Sequence, residues 1–465
     1  MSEIDMMSKQ DYDLLKEKVV DIMKLSNEKQ LQIVEPYMNE INDIFNIILS
    51  YIKEHRRKIY GNFGLHVLLY QNTDINYDCP VINFYSSDPL NDLSKLCDKL
   101  FKNGFKIVRG AEALLKETYT IKVNNHIYCE ISYMPKILYN NLPYRTIKDV
   151  NIVGHEIYII ECCKRLTNFT IYGKTKENIT DTMNDVYQLQ KQFKIPLINK
   201  QLCMDNYNYV NKEENIGNLL KTIYNNIINN KEIIVLGFCA YNHFIGNSSK
   251  YKPVIVPYYE VIVSDYVKNT LRILEILKNI FPNLNKDIKY VEHYPFFQYF
   301  GYSTCIYYKQ NLLIRIFDNN RRCIPYIKHN IDNHSHINIG SLFTNILFLM
   351  IQIIKTRVDD DKYLKDIYYT MLSHILESKN TYLDKKNITI YDKTIFNEFT
   401  INCIGKPITP ESQKTKQIMK RKKLKKKYTY SYDPSEQKHR HDYKYMFSNS
   451  SGNPIRNPKN LKLKK

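Results

Sequence analysis

At 465 residues the chain is long enough for two or three domains with buried cores, and its ordinary apolar content marks it as globular. Its net charge of +19 is uneven: between Ser412 and Lys465, seventeen Lys and Arg against three acids give +14, leaving a body close to neutral and a strongly basic C-terminus. Ten cysteines without a C-x-x-C pair give no zinc signature and point to free, mostly buried thiols in a reducing compartment.

The opening MSEIDMMSKQDYDLL is polar and acidic, which is not the pattern of a signal peptide. Apolar periodicity predicts two helices, over 11–25 and about 34–54, so that 1–56 forms an N-terminal helical segment. RKIYG then reads as a short strand stopped by Gly61, LHVLLY as a helix, and 81–86 as a strand. Asp88 followed by Pro89 is a helix-start signal, and the helix runs to Asn103 with Gly104 ending it. FKIVRG is a strand, and ETYTIKV and HIYCEISYM pair as a hairpin about Asn124-Asn125, residues that tolerate positive φ. Residues 57–176 thus form an α+β lobe, a mixed sheet with flanking helices.

A helical linker follows over 177–230, carried by ENITDTMNDVYQLQKQFKIP. The segment 231–330 then repeats the first lobe. EIIVLGFCAYNHF with Gly237 echoes KIYGNFGLHVLL with Gly61, and PYYEVIVSDY with Glu260 echoes PVINFYSSDP with Asn83. STCIYYKQNLLIRIFDNN supplies a hairpin that puts Arg315 near the place of Glu130. The offsets of 176, 177 and 185 residues, in order, predict a tandem of two like lobes. Residues 331–410 read as C-terminal helices. Among them INIGSLFTNILFLMIQII, broken by Asn338, Ser341, Thr344, Asn345 and Gln352, reads as a buried helix and not a membrane span. Residues 411–465 read as a disordered basic tail. His293, His329, His334 and His336 match no standard ligand spacing and read as loop histidines, and Arg321 and Arg322 as an exposed turn.

A strand leaving a glycine turn, a second strand with acids at i and i+2, and a third acid on a neighbouring strand is the layout of nucleotidyltransferases. Residues i and i+2 of a strand face one way, so their carboxylates can share two Mg²⁺ about 3.5–4 Å apart. The glycine turn lets backbone N–H groups approach phosphates.

Between Arg57 and Gly154, and more thinly to the C-terminal helices, the chain resembles the viral poly(A) polymerase family of large DNA viruses: the poxvirus, asfarvirus and mimivirus-type catalytic subunits. KIYGN, CPVINFYSSDP, LSKLCDKLFKNGFKIV and YCEISYMPKILYNNLP carry the resemblance, with GFCAY and RRCIPY in the second half. It implies two tandem nucleotidyltransferase-like lobes, one of them catalytic. Carried over by position, the catalytic trio falls on Val81, Asn83 and Glu130, of which only Glu130 is acidic and left to bind metal. The nucleotide-binding turn falls on Gly61 and Asn62, the latter replacing a second glycine. Asp78 in the preceding loop and Asp88 at the next helix start are both displaced along the chain from the required face. The second lobe offers Tyr258, Glu260 and Arg315, and Glu260 reads as a surface carboxylate.

The resemblance implies a role in mRNA 3′-end polyadenylation. With two of three acids missing, the expectation is a non-catalytic RNA-binding or dimer-partner copy, since deleting a single stabilising group can cost about 10²–10³ in rate. The alternative is an active polynucleotide adenylyltransferase using ATP with Mg²⁺ or Mn²⁺; otherwise no cofactor is expected. A third reading, a structural interaction protein of the virion, predicts no salt-sensitive RNA binding. Expected partners are the mRNA 3′ end and, as a homodimer or heterodimer, an active polymerase or processivity subunit, with no membrane. RNA binding is assigned to Lys420, Arg421, Lys422, Lys423, Lys425, Lys426, Lys427, Tyr428 and Tyr430, where lysines meet phosphates and tyrosines stack on bases. The expected location is the host cytoplasm, in the viral factory, or the virion.

Overall fold

The computed structural model describes residues 8–34, 38–75, 80–167, 176–207, 210, 213–246, 248, 250–284, 286–320, 322–330, 336–397, 402–406, 408–423, 429–436, 438–439 and 447–455. In chain order the elements are α1 (Lys9–Val34), α2 (Met38–Glu54), β1 (Lys58–Tyr60), α3 (Gly61–Tyr70), β2 (Ile82–Ser86), α4 (Pro89–Lys102), β3 (Val108–Glu112), β4 (Thr118–Val123) and β5 (His126–Tyr133). Then come α5 (Lys136–Asn141), β6 (Tyr144–Ile147), β7 (Val150–Val153), α6 (His155–Leu166), α7 (Lys176–Gln192), α8 (Glu214–Ile223), β8 (Ile233–Leu236), α9 (Gly237–Ile245), β9 (Tyr259–Val263) and α10 (Tyr266–Ile280). The rest are β10 (Ile288–His293), β11 (Ser303–Tyr308), β12 (Asn311–Asp318), β13 (Ile324–Asn330), β14 (His336–Gly340), α11 (Leu342–Val358), α12 (Lys362–Lys386), β15 (Cys403–Ile404), α13 (Pro410–Lys423), β16 (Ser431–Asp433) and β17 (Lys438–His439).

The chain divides into two compact units. The first holds 1–133, 144–153 and 417–445, and the second holds 134–143, 154–416 and 446–465. The first is built on a nine-stranded sheet in the order β17-β16-β3-β4-β5-β2-β1-β7-β6, the second on an eight-stranded sheet in the order β10-β11-β12-β9-β8-β14-β13-β15. Seven strands of one sheet match seven of the other in order and direction. β1 runs antiparallel to β2 and parallel to β7, as β8 runs to β9 and β14. β2 is parallel to β5, as β9 is to β12. Even the register slip recurs at one place, between Ile121 and Lys122 in the first sheet and between Ile306 and Tyr307 in the second. The predicted duplication is therefore a duplication of sheet topology.

Local chemistry accounts for these elements. Asn124 and Asn125 take φ of 50° and 71°, which two-residue hairpin turns require. Lys148 and Asp149 do the same at 46° and 66° and join β6 to β7, a hairpin the sequence reading missed because this dipeptide is not an Asn-Gly-type signal. Gln71 and Asn387 end α3 and α12 in left-handed conformations. Asp265 caps α10 by accepting from the Lys268 N–H. Asp88 holds the same place before α4 but its side chain makes no capping bond; its own N–H donates to Ser86 Oγ at 2.9 Å.

Other expectations need correction. Cys323 and Cys403 form a disulfide, fastening β15 to the edge strand β13. The remaining cysteines are free, six buried and Cys203 exposed, among the described residues. His293, His329 and His336 lie on strands, not loops, and His334 and Arg321 lie outside the described residues. The segment read as a disordered tail is folded where it is described: α13 spans Pro410–Lys423, and β16 pairs antiparallel with β3. No described helix is long and apolar enough to cross a membrane.

Candidate functional site

In the first sheet β2 is central, and its register sets the site. Asn83 lies level with Tyr60 of β1 on one side and with Glu130 of β5 on the other. Val81 directly precedes β2, and strand alternation puts it on the Asn83 side. Val81, Asn83 and Glu130 are thus brought to one face of one sheet. Gly61 follows β1 at φ +75°, and a Cβ there would come within 2.7 Å of Asn83 Nδ2. Only glycine fits so close a turn. Asn62 takes an ordinary helical conformation in the first turn of α3 and is exposed. Tyr60 stacks on Tyr85 at 4.0 Å, and its hydroxyl lies 2.7 Å from Ser132 Oγ, so one flank of the site is rings and hydroxyls. Lys58, buried beside them, has its ammonium 4.6 Å from the centre of the Tyr144 ring, and burial lowers its pKa to about 8.

These donors do not suit a pair of Mg²⁺ ions. Hard dications are held by several oxygen ligands, mostly carboxylates. Val81 offers none. Asn83 offers a neutral amide oxygen, which is buried and accepts no hydrogen bond. Glu130 is the only carboxylate of the three, and burial raises its pKa, favouring the neutral form. Asp88 is at the start of α4 and exposed, and Asp78 lies outside the described residues. No cluster of three or more His, Cys, Asp or Glu side chains able to hold a metal occurs among the described residues.

The second sheet repeats the frame with other side chains. Gly237 follows β8 at φ +59°, and a Cβ there would come within 2.2 Å of Glu260 Oε2. Glu260 lies level with Leu236 and with Arg315, whose neighbour on β11 is Cys305. The residues preceding the two glycines share one conformation, φ −135° and ψ −173° at Tyr60, −131° and −170° at Leu236. Glu260, expected at the surface, is 0% exposed. The reason is its central strand and the glycine turn packed over it. Its compensation is Arg315 Nη1 at 3.7 Å. Burial raises the Glu260 pKa to about 7 against the pull of that guanidinium. Arg315 Nε also donates to Cys305 Sγ at 3.2 Å; burial alone would raise that thiol, and the guanidinium together with His293 outweighs burial and holds it below the usual value. Where the first lobe has Asn83 and Glu130, the second has a buried ion pair.

The basic C-terminal segment is only partly available for the role read from it. Lys420, Lys422 and Lys423 are exposed on the last turn of α13. Arg421 is not free: its Nη1 and Nη2 donate to Glu112 Oε2 and Oε1 at 2.8 and 2.9 Å. Tyr430 is 6% exposed, packed edge-on against Tyr119, and cannot stack on a base. Lys425, Lys426, Lys427 and Tyr428 lie outside the described residues. The sequence carried no sign of the partnership of Arg421 with Glu112, because 309 residues separate them.

Residues 187–465 match the family model described as "APMV, Putative poly(A) polymerase, catalytic subunit, C-terminal", and residues 46–170 match "Poly(A) polymerase catalytic subunit". A "Putative poly(A) polymerase catalytic subunit" of Acanthamoeba polyphaga mimivirus is 27% identical over 452 residues, covering 89% of this chain and 75% of that protein. The protein of the same description from African swine fever virus (strain Badajoz 1971 Vero-adapted) is 24% identical over 117 residues, 24% of this chain and 25% of that one. The crystal structure of the Megavirus polyadenylate synthase superposes with a TM-score of 0.89 at 25% identity, over 99% of this chain and 95% of the other. With more than half its length matched by one model, and two sheets that repeat one nucleotidyltransferase-like frame, the chain belongs to the viral poly(A) polymerase catalytic-subunit family.

Proposed function

We propose that this family member acts in mRNA 3′-end polyadenylation without catalysing it, as an RNA-binding or dimer-partner copy. One observation carries the reading: on the face that Gly61 and β2 prepare, Val81 and Asn83 stand where two-metal transfer needs acids, and Glu130 is left alone. Family members that are active use ATP and a divalent metal; this donor set would have to hold two dications beside a polyphosphate with one carboxylate. RNA affinity is assigned to the lysines of 420–427 and to Tyr428, and the partner to an active polymerase or processivity subunit, or a second copy. The place of action is the viral factory in the host cytoplasm, or the virion.

The test is incorporation of labelled ATP onto an RNA primer, first with Mg²⁺ and then Mn²⁺, beside a protein carrying Val81→Asp and Asn83→Asp. The expected result is no extension by the natural chain. Extension by the doubly substituted form would show that only the acids are missing. Robust extension by the natural chain would overturn the reading and make it an active adenylyltransferase.

A further inference from the structure

Cys305 stands apart from the other buried cysteines because polar groups converge on its sulfur. It lies on β11 with no exposure to solvent, level with Arg315 of β12 on one side. On the other side His293 of β10 lies level with Ser303, two residues before Cys305 and so on the same face of the sheet. Arg315 Nε donates to the sulfur at 3.2 Å, and the His293 ring and the Tyr307 hydroxyl bond to it as well. The backbone sets the His293 tautomer. Its Nδ1–H donates to the Gly452 carbonyl at 3.2 Å, which leaves the lone pair on Nε2, buried and with no other partner.

A neutral thiol is a weak acceptor, and a cysteine that only fills a core has no use for three polar neighbours. A thiolate, by contrast, is stabilised by a cation and by hydrogen bonds to its sulfur. Burial pushes the Cys239 thiol up to about 12. At Cys305 burial acts in the same direction, but Arg315 and His293 outweigh it and bring the thiol down to about 6. Beside this group lies a cavity of about 20 Å³, lined by His293, Ser303 and Arg315 together with Phe300 and Phe317. It has room for one water-sized molecule and none for a nucleotide.

We infer that Cys305 is a peroxide-reactive thiolate that meets hydrogen peroxide through this cavity and carries the product as a sulfenic acid. The step balances within the group. His293 Nε2 takes the thiol proton, the sulfur attacks one peroxide oxygen, and an S–O bond forms as the O–O bond breaks. The leaving hydroxide recovers the proton from His293 and departs as water. Sulfur is oxidised by two electrons and the peroxide is reduced by two. The burial that admits so small an oxidant excludes a bulky thiol, so the sulfenic acid is not drawn on into a mixed disulfide.

The folded full chain is treated with hydrogen peroxide, the excess is destroyed, and the chain is then unfolded in dimedone, which tags sulfenic acids for peptide mass spectrometry. The thiols of Cys97, Cys129 and Cys239, which burial raises and so keeps protonated, are the internal comparison. Tagging of the Cys305 peptide is expected to be at least about 10-fold faster than theirs, since each unit of pKa changes the thiolate fraction tenfold. Tyr307→Phe removes one donor and no charge, and is expected to slow tagging roughly 3- to 10-fold, the worth of one hydrogen bond. His293→Phe removes the base and is expected to slow it further. If His293→Phe fails to fold, Tyr307→Phe carries the comparison alone. Peroxide added only after unfolding should erase the preference for Cys305. Tagging of Cys305 no faster than of the other buried thiols would overturn the inference. Unchanged tagging in the variants would overturn it as well, by making the donors bystanders, and so would a preference that survives unfolding.

Discussion

Two equivalent positions show how far single side chains can depart within one frame. Asn83 and Glu260 each lie under a glycine turn on the central strand, and Glu130 and Arg315 stand beside them. In the first lobe the pair is an amide and a carboxylate, and burial favours the neutral form of that carboxylate. In the second a base stands where the first has Glu130, giving an ion pair with the carboxylate wholly buried. Removing one partner of such a pair leaves an uncompensated charge and costs about 3–5 kcal/mol. Arg315→Met should therefore lower stability by roughly that amount at pH 8. The sign with pH follows from the raised carboxyl. Glu260 holds its proton to about pH 7 when folded and releases it at ordinary carboxylate values when unfolded, so its neutral form imposes no penalty at low pH. The destabilisation by Arg315→Met should shrink steadily from pH 8 towards pH 5, as read from thermal unfolding midpoints. A loss equal at both pH values would mean that packing, not charge, is what Arg315 supplies.

The strand–glycine–helix turn is the element that both lobes keep. Gly61 and Gly237 combine a left-handed φ with a side chain packed where a Cβ would go, so each condition separately penalises a substitution. Gly237→Ala adds left-handed strain, about 1–3 kcal/mol, to overpacking against Glu260 of similar size. Gly104 provides the comparison, since its φ is +101° but nothing lies within 4 Å of a Cβ. Gly104→Ala should show the strain alone, and Gly237→Ala a clearly larger fall in unfolding midpoint; equal falls would remove the packing argument. Both glycines were legible in the sequence, as were the Asn124-Asn125 hairpin and the strand alternation that aligns Val81 with Asn83. The β6–β7 hairpin was not, because Lys148 and Asp149 reach positive φ in spite of their residue types. Nor was β16, whose three residues become a strand only by lying against β3.

Across the whole molecule, one fold is used twice and closed by long-range links. The Cys323–Cys403 disulfide spans 80 residues, a loop length for which the chain-entropy account gives about 4–5 kcal/mol and measurements typically about 2–4. Alkylation of the unfolded chain without reductant should leave Cys323 and Cys403 unlabelled, and Cys403→Ser should lower the unfolding midpoint. Labelling of both cysteines would mean that the free thiols expected from composition are what the protein carries.

Sequence alone determined the tandem and the family frame, because strand period, glycine turns and equal offsets are local or additive signals. Tertiary structure decided what became of the remaining charges. Glu260 is buried because β9 is central, Arg421 is held by Glu112 from 309 residues away, and Tyr430 is core because β3 has an edge to fill. Each of those outcomes depends on pairing between residues far apart in the chain, and no window of sequence records which distant partner a charge will meet.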